Sequence, residues 1–214
     1  MKSVALTING EKIIAPEGKK LLWVALDNGI YIPNLCALRD KPEPVSSCRL
    51  CFVEVVDKEQ PVAACTEAVT GGMVVDTRGA KALRMASSNL ELLMASYTVE
   101  CGYCAKNTRC ELQKIAHHLG VKFKSKRFRK LRRQLPIDDS NPLFTYDPNK
   151  CVLCGRCVWV CRQHLGIDVF GFAHRGFERV VTTFDDEPIG DSRCQECWAC
   201  VSVCPSGALV FKES

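Results

Sequence analysis

Hydrophobic and polar residues alternate near the start of the chain in a pattern typical of β-strands. Apolar residues at positions 4, 6 and 8 are followed by the turn signal Asn9-Gly10 and by the segment Lys12-Ile13-Ile14. This pattern predicts a β-hairpin. Further short apolar runs at 52–56 and 73–75 predict two more strands, so the first part of the chain should form a small sheet.

Four other segments show the spacing of amphipathic helices. Residues 21–26 are apolar on one face and precede Gly29, a typical helix stop. Residues 80–96 carry an apolar face, and 111–119 predict a short third helix. Apolar residues at 128, 131 and 135 also fit one helix face. The turn-forming sequence at 135–142 predicts a linker after it.

The cysteine content changes the interpretation of these elements, since 15 of the 214 residues are cysteine. A secreted disulfide scaffold and a reduced metal-binding protein are the two explanations. The odd count, the C-x-x-C groups and an N-terminus without a signal-peptide pattern favour metal binding. No apolar run approaches the roughly 18–20 residues of a membrane span. We therefore expect a cytoplasmic protein without membrane insertion.

The net charge of +5 is concentrated in one segment. Residues 122–133 hold eight basic and no acidic side chains, so the rest of the chain is slightly negative. Such a segment can bind nucleic acid. The favoured interpretation is a surface helix whose basic face meets an acidic partner subunit, with no nucleic acid bound.

The sequence C-x2-C-x2-C-x3-C occurs twice, beginning at Cys151 and at Cys194. A cubane cluster needs four thiolates, and a tight loop can offer three, so the fourth should come from the other copy. A pair of zinc sites is the alternative, but zinc sites do not usually take this pattern twice with crossed fourth ligands. The two predicted 4Fe–4S ligand sets are Cys151, Cys154, Cys157 with Cys204, and Cys194, Cys197, Cys200 with Cys161.

A further set of four cysteines, spaced C-x11-C-x2-C-x13-C, lies within the predicted sheet domain. Four thiolates suit a 2Fe–2S cluster, with two thiolates on each iron. A structural zinc site is the alternative. The predicted ligands are Cys36, Cys48, Cys51 and Cys65.

The remaining three cysteines form an incomplete group, Cys101, Cys104 and Cys110. A fourth ligand must be another residue type, or the site is not a full cubane. His117 lies about 10 Å along a helix that begins at Cys110. His117 and His118 are therefore interpreted as ordinary helix residues.

Several longer motifs then resemble one known family along nearly the whole chain. They are P-N-L-C at 33–36, S-C-R-L-C at 47–51, C-E-L-Q at 110–113, D-D-S-N-P at 138–142, D-P-N-K-C-V-L-C-G-R-C at 147–157 and C-V-S-V-C-P-S-G-A-L at 200–209. The chain resembles the N-terminal iron–sulfur region of the complex I large peripheral-arm subunit. It is similar also to the N-terminal region of iron-only hydrogenases, and to the diaphorase small subunit of NAD-reducing hydrogenases and formate dehydrogenases.

The resemblance implies an α+β fold of three cluster-binding parts. These are a 2Fe–2S β-grasp ferredoxin domain at 1–78, a small helical middle domain at 79–120, and a ferredoxin-like domain with two 4Fe–4S clusters at 142–214. A basic connecting segment covers 121–141.

In the family, the middle cluster is commonly bound through H-x3-C-x2-C-x5-C, but here Tyr97 stands at the histidine position. Three outcomes are open: a 4Fe–4S cluster with an unusual ligand such as Tyr97, Glu100 or solvent, a 3Fe–4S cluster, or no cluster. We favour an occupied cubane, because all three cysteines are present.

The resemblance implies an electron-transfer subunit of a multi-subunit oxidoreductase. Its expected partners are a flavin- and NAD(P)-binding subunit and a terminal hydrogenase, formate dehydrogenase or similar redox subunit. Neither a G-x-G-x-x-G motif nor a P-loop occurs, and we expect no substrate-converting site in the chain itself. A freely diffusing ferredoxin-like shuttle and a non-redox metal-binding regulator that uses the basic segment are the alternatives.

Overall fold

The computed structural model describes residues 2–123, 127–131, 133–164 and 166–212. The chain divides into two compact units. One unit comprises Met1–Leu92 with Ile115–Lys122, and the other comprises Leu93–Lys114 with Phe123–Ser214.

The first unit contains a five-stranded sheet with the strand order β2-β1-β5-β3-β4. The central strands β1 and β5 are parallel, and the remaining neighbours are antiparallel. Asn9 and Gly10 turn the first hairpin with φ angles of 52° and 87°, as the turn signal predicts. The strands are β1 (Ser3–Ile8), β2 (Glu11–Pro16), β3 (Phe52–Val55), β4 (Val62–Ala63) and β5 (Val74–Asp76).

Helix α1 (Leu21–Asp27) contributes its apolar face to the core of the same unit. Leu21 and Ala25 are fully buried there together with inward-facing strand residues such as Ile8 and Val53. The helix ends at Asp27 with Asn28 as its C-cap, and Gly29 follows with φ 75°, a conformation that glycine adopts without strain. The predicted stop signal is therefore confirmed.

Two further helices match their predicted positions. Helix α2 (Ala80–Ala95) buries Ala82, Ala86 and Leu90 along one face. Helix α3 is Glu111–Leu119.

The second unit is built from short elements around a core that includes Phe144, Phe170 and Val201. Strands β6 and β9 pair, as do β7 and β8, both pairs antiparallel. Short helices α4 and α5 begin inside the two cysteine repeats, and a π-helical turn, Val160–His164, follows α4. The elements are β6 (Phe144–Tyr146), α4 (Arg156–Trp159), β7 (Gly171–Ala173), β8 (Val180–Thr182), α5 (Ala199–Val203) and β9 (Leu209–Phe211).

The helix predicted from the apolar spacing at 128–135 is wrong for the described part of that segment, which is not helical. The backbone N–H of Leu131 instead donates to a carbonyl at the end of α2 at 2.8 Å. Leu135 exchanges two hydrogen bonds with the Asn149 side chain, of 2.9 and 2.8 Å. Pro136 also disfavours helical geometry at Leu135. The rest of the predicted basic helix, Lys124–Lys126 and Arg132, lies outside the described residues.

None of the helices among the described residues combines the length and apolar character that a membrane span requires.

Candidate metal centres

Four cysteines come together in the first unit, in the loop before β3 and just after β4. All of them are buried free thiols, with exposed fractions of 6% or less. The Sγ atoms of Cys36 and Cys48 lie 3.4 Å apart. The structure therefore brings together the whole set predicted to hold a 2Fe–2S cluster, namely Cys36, Cys48, Cys51 and Cys65.

Electrostatic interactions link these four thiols. A hydrogen bond from the Cys48 thiol lowers the pKa of Cys36 to about 5, and the backbone N–H groups of Cys48 and Ser47 contribute to this shift. The pKa of Cys48 is raised in turn, because its proton is held by Cys36 and because the thiol is buried. Cys51 and Cys65 form a second pair, in which the pKa of Cys65 is lowered and that of Cys51 is raised. These thiols favour a partial negative charge that a bound cation would balance.

Three thiols of the first repeat converge with one thiol of the second repeat. Cys154 and Cys157 are 8% and 9% exposed. Burial, together with the nearby Cys204 and Cys151, raises the pKa of Cys154 to about 12. The backbone N–H of Leu153 donates to Cys151 Sγ at 3.4 Å. Cys204 thus lies within electrostatic range of the three cysteines at 151–157.

The second repeat shows the reciprocal arrangement. One pocket is lined by apolar side chains and by four cysteines, namely Cys161, Cys194, Cys197 and Cys200. The backbone N–H of Val169 donates to Cys161 Sγ at 3.3 Å, and the buried Asn141 amide donates to Cys194 Sγ at 3.6 Å. Burial raises the pKa of Cys200 to about 12. The first repeat therefore supplies one thiol to the second.

The two repeats also share a backbone conformation that explains how short loops present their thiols. Leu153 and Glu196 occupy matching positions and have φ angles of 53° and 54°. Gly155 and Trp198 also match, with φ angles of 73° and 49°. Left-handed residues turn the chain tightly, so consecutive cysteines face the same point.

The raised pKa values of the thiols in the two repeats indicate whether these sites suit iron–sulfur clusters. A buried thiolate is unfavourable unless a positive charge compensates it. Each group contains four thiols at one point, with backbone or amide N–H groups directed at sulfur, and this donor set suits a cationic iron–sulfur core. Among the described residues, no group of three or more His, Cys, Asp or Glu is arranged to hold a single metal ion.

The three middle cysteines lie in one pocket with Tyr97. Cys101 opens a short 3₁₀ turn, and Cys110 directly precedes α3. Tyr97 is only 8% exposed, and burial raises its pKa, with the three thiols adding to the effect and a hydrogen bond from the backbone N–H of Gly207 opposing it. The structure therefore brings together Cys101, Cys104, Cys110 and the phenol.

The wall of this middle site is the segment after Cys204. A Cβ at Gly207 would lie 2.5 Å from Cys104 Sγ and 3.8 Å from Tyr97 Oη, so no side chain fits there without a shift of the site. Cys110 Sγ is 3.9 Å from the Pro205 carbonyl oxygen. The middle site and the first ferredoxin site thus share the segment 204–207.

The two histidines of helix α3 lie outside the pocket of the three middle cysteines. His118 packs edge-on against the ring of Tyr31, with ring centroids 4.9 Å apart. His117 is exposed. Both lie in the helix, as predicted.

The sequence does not predict that three further residues lie near the sites, namely Asn141, Lys150 and Gly207. The Lys150 side chain lines the middle pocket and pairs with Asp147 at 3.0 Å. Asn141 falls in the segment 138–142, whose sequence indicates a linker and a family motif but not a hydrogen bond to a cysteine. Nothing in the spacing of the residues around Gly207 indicates that it adjoins Cys104.

These features define a protein with several iron–sulfur centres, and comparisons with known proteins agree. Three family models match in succession: a 2Fe-2S iron-sulfur cluster binding domain over residues 1–79, an NADH-ubiquinone oxidoreductase-G iron-sulfur binding region over 87–124, and the ferredoxin-like domain of NADH-quinone oxidoreductase subunit 3 over 141–210. Together they indicate a 2Fe–2S centre and 4Fe–4S centres on a mixed helix and sheet fold.

Individual relatives match over almost the whole chain. The NAD-reducing hydrogenase HoxS subunit gamma of Cupriavidus necator is 31% identical over 98% of this chain and 88% of its own length. The chain belongs to the iron–sulfur subunit family that includes this HoxS subunit. The NADPH-Fe(3+) oxidoreductase subunit alpha of Geobacter sulfurreducens is 33% identical over 98% of this chain, which spans 24% of that relative.

A solved structure agrees with this assignment. A chain of the NAD+-reducing [NiFe]-hydrogenase crystal structure in the H2-reduced state superposes with a TM-score of 0.88 at 30% identity, covering 100% of this chain and 89% of that one. The resemblance predicted from the sequence is confirmed.

Proposed function

We propose that the chain relays single electrons between a flavin- and NAD(P)-binding subunit and a terminal redox subunit. The observation that supports this proposal is that the 15 cysteines fall into four groups, whose members line one pocket or interact electrostatically with one another. A chain with one such group could be a structural metal protein. Four groups in one short chain suit stepwise electron transfer.

The proposed cofactors are one 2Fe–2S cluster and three 4Fe–4S clusters, of which the middle one becomes a 3Fe–4S cluster if no fourth ligand binds. The 2Fe–2S cluster belongs to the N-terminal sheet, whose strand order supports the predicted β-grasp. The proposed ligands are Cys36, Cys48, Cys51 and Cys65 for 2Fe–2S; Cys101, Cys104 and Cys110 in the middle; Cys151, Cys154, Cys157 and Cys204; and Cys194, Cys197, Cys200 and Cys161.

The clusters supply the one-electron redox chemistry when bound, and the chain controls their surroundings. Cys157 and Cys200 are buried, so water has little access to their sulfur atoms. Backbone and amide N–H groups directed at Cys151, Cys161 and Cys194 stabilise negative charge on sulfur. The chain thereby adjusts how readily each centre accepts an electron.

The partners follow from the relatives by analogy. The name NAD-reducing hydrogenase supports an NAD(P)-linked partner and a hydrogenase-type partner, and the name NADPH-Fe(3+) oxidoreductase supports an NADPH-linked one. A hetero-oligomer is therefore proposed. The cytoplasmic location and the domain boundaries at 78, 120 and 141 stay predictions from the sequence.

The test is the variant Cys154→Ser in the purified native complex, with Ser202→Ala on the exposed side of α5 as the control. Electron transfer from NAD(P)H to the terminal acceptor should be abolished in Cys154→Ser. Each partner subunit should keep its own activity with artificial dyes, and the control should transfer electrons normally. Unchanged coupled turnover in Cys154→Ser would contradict the relay.

Size-exclusion chromatography of native extract examines the diffusing-shuttle alternative. Elution with larger subunits supports the docked relay, whereas elution as a monomer supports the shuttle.

A further inference from the structure

The middle site contains one oxygen atom that nothing in the proposed ligand sets uses, the phenol oxygen of Tyr97. The side chain is 8% exposed and lies in the pocket of Cys101, Cys104 and Cys110. The point 2.5 Å from Cys104 Sγ that a Gly207 Cβ would occupy is 3.8 Å from Tyr97 Oη. The phenol therefore faces the same small space as the thiols.

The hydrogen bonding of Tyr97 differs from that of another buried tyrosine in the same unit. Tyr146 donates its hydroxyl proton to the Val181 carbonyl at 2.6 Å, as buried tyrosines usually do. The oxygen of Tyr97 instead accepts from the backbone N–H of Gly207. Burial and the neighbouring thiols raise the pKa of this phenol, so the phenolate would form only on binding a cation such as a cluster iron.

Two other side chains that line the pocket, Asn107 and Gln113, already use their oxygen atoms as hydrogen-bond acceptors. The side-chain oxygen of Asn107 accepts from the Gln113 amide at 2.8 Å, and the oxygen of Gln113 accepts from the Thr108 backbone at 2.8 Å. Glu100 is exposed and caps the 3₁₀ turn without a side-chain hydrogen bond. Of the oxygen-bearing side chains that line the pocket, Tyr97 is the buried one, whereas Glu100 is exposed.

The middle group lacks a fourth thiol. Three thiolates alone would leave one iron of a cubane without a protein ligand. The Lys150 side chain lines the same pocket, but its ammonium group pairs with Asp147 at 3.0 Å. A hydrogen bond from the Gly207 N–H to the phenol oxygen would stabilise the negative charge of a bound phenolate.

We propose that the phenolate oxygen of Tyr97 is the fourth ligand of the middle iron–sulfur cluster. In this ligand exchange Tyr97 loses its proton to solvent, forms an oxygen–iron bond and displaces a bound water, and no electron is transferred. The inference rests on the proposed function, because it requires a cluster at the three cysteines. It specifies a phenolate where the cysteine count leaves the ligand undetermined.

The experiment compares the full-length protein with Tyr97→Phe, which keeps the ring and removes the oxygen. Tyr103→Phe is the matched control, because Tyr103 lies in the same loop and is 96% exposed. Resonance Raman spectra of anaerobic protein should show iron-bound tyrosinate ring bands in the wild type and in the control. These bands should be absent in Tyr97→Phe. That variant should also lose about one iron per chain on mild oxidation and gain the EPR signal of a 3Fe–4S cluster.

Tyr97→His provides a second measurement. A neutral imidazole in place of an anionic ligand should raise the midpoint potential of the middle cluster and retain all its iron. Identical Raman, EPR and iron data for wild type and Tyr97→Phe would overturn the tyrosine ligand.

Cys104→Ser separates this failure from failure of the proposed function. If Cys104→Ser loses the middle cluster while Tyr97→Phe matches the wild type, only the tyrosine inference is wrong. If Cys104→Ser also matches the wild type, the middle cluster itself is absent and both proposals fail there.

Discussion

The middle site and the two ferredoxin sites lie in one unit, yet they obtain their donor atoms differently. Each ferredoxin group takes three thiols from a tight left-handed loop and one from the other repeat. The middle group takes three thiols from one short segment and adds the phenol of Tyr97. The space for it depends on Gly207, which offers no donor atom. A site can therefore depend as much on an absent side chain as on its ligands.

The largest expected effect is on a ferredoxin site. Cys157→Ser removes a buried thiol that lies within electrostatic range of Cys151, Cys154 and Cys204. We expect the loss of one whole cluster, about four irons per chain, and a lower unfolding temperature of the second unit. Iron analysis and calorimetry measure both effects. Full iron content in Cys157→Ser would show that this thiol is not a ligand.

Gly207→Ala should disturb the middle site and spare the ferredoxin sites. The added Cβ would lie 2.5 Å from Cys104 Sγ. The occupancy of the middle cluster should fall about tenfold or more, as for other losses of supporting structure around metals. Mössbauer spectra of reconstituted protein measure it. Gly102→Ala is the matched control, because nothing lies within 4 Å of its Cβ position. Equal spectra for the two variants would contradict the role of Gly207.

Asn141→Ala should separate the two ferredoxin sites from each other. The amide of Asn141 donates to Cys194 Sγ, and the residue is 1% exposed. Its loss should lower the free energy of unfolding by about 1–3 kcal/mol. It should also make the potential of the Cys194 cluster more negative, because the reduced cluster carries more negative charge. The other ferredoxin cluster is the internal control in a redox titration; equal shifts in both clusters would argue against a local effect.

His118→Gln should have the smallest effect and should leave every cluster unchanged. Partial desolvation lowers the pKa of the exposed His118 from its ordinary value of 6.5, and the charge of Arg78 adds to the shift. The folded chain thus favours neutral His118, so this stability is complete above pH 6.5 and is lost as the pH falls towards the lowered pKa. In His118→Gln, the unfolding temperature of the first unit should depend less on pH over that range. A loss of iron in this variant would place the histidine at a cluster after all.

The sequence predicted the elements with strong local signals. The hairpin at Asn9-Gly10, helix α1 with its stop at Gly29, and helices α2 and α3 follow from turn chemistry and apolar spacing. The grouping of cysteines could also be proposed, because short spacings leave few ways to arrange three thiols.

The remaining features depend on contacts between distant residues. The helix predicted at 128–135 fails because Leu131 and Leu135 bond to distant backbone and to Asn149. The short strands β6 to β9 have two- and three-residue pairings whose periodicity is too brief to recognise. Gly207 adjoins Cys104 only after the chain has folded.

The exchange of one cysteine between the repeats has a consequence for the order in which the protein matures. Cys161 must wait for Cys194 to Cys200, and Cys151 to Cys157 must wait for Cys204. A chain still on the ribosome can complete the set from Cys36 to Cys65 early, while the Cys194 centre must wait for residue 200 and the Cys151 centre for residue 204 to emerge and fold back. Nascent chains arrested before residue 200 should therefore carry iron at the first centre and none at the two ferredoxin centres.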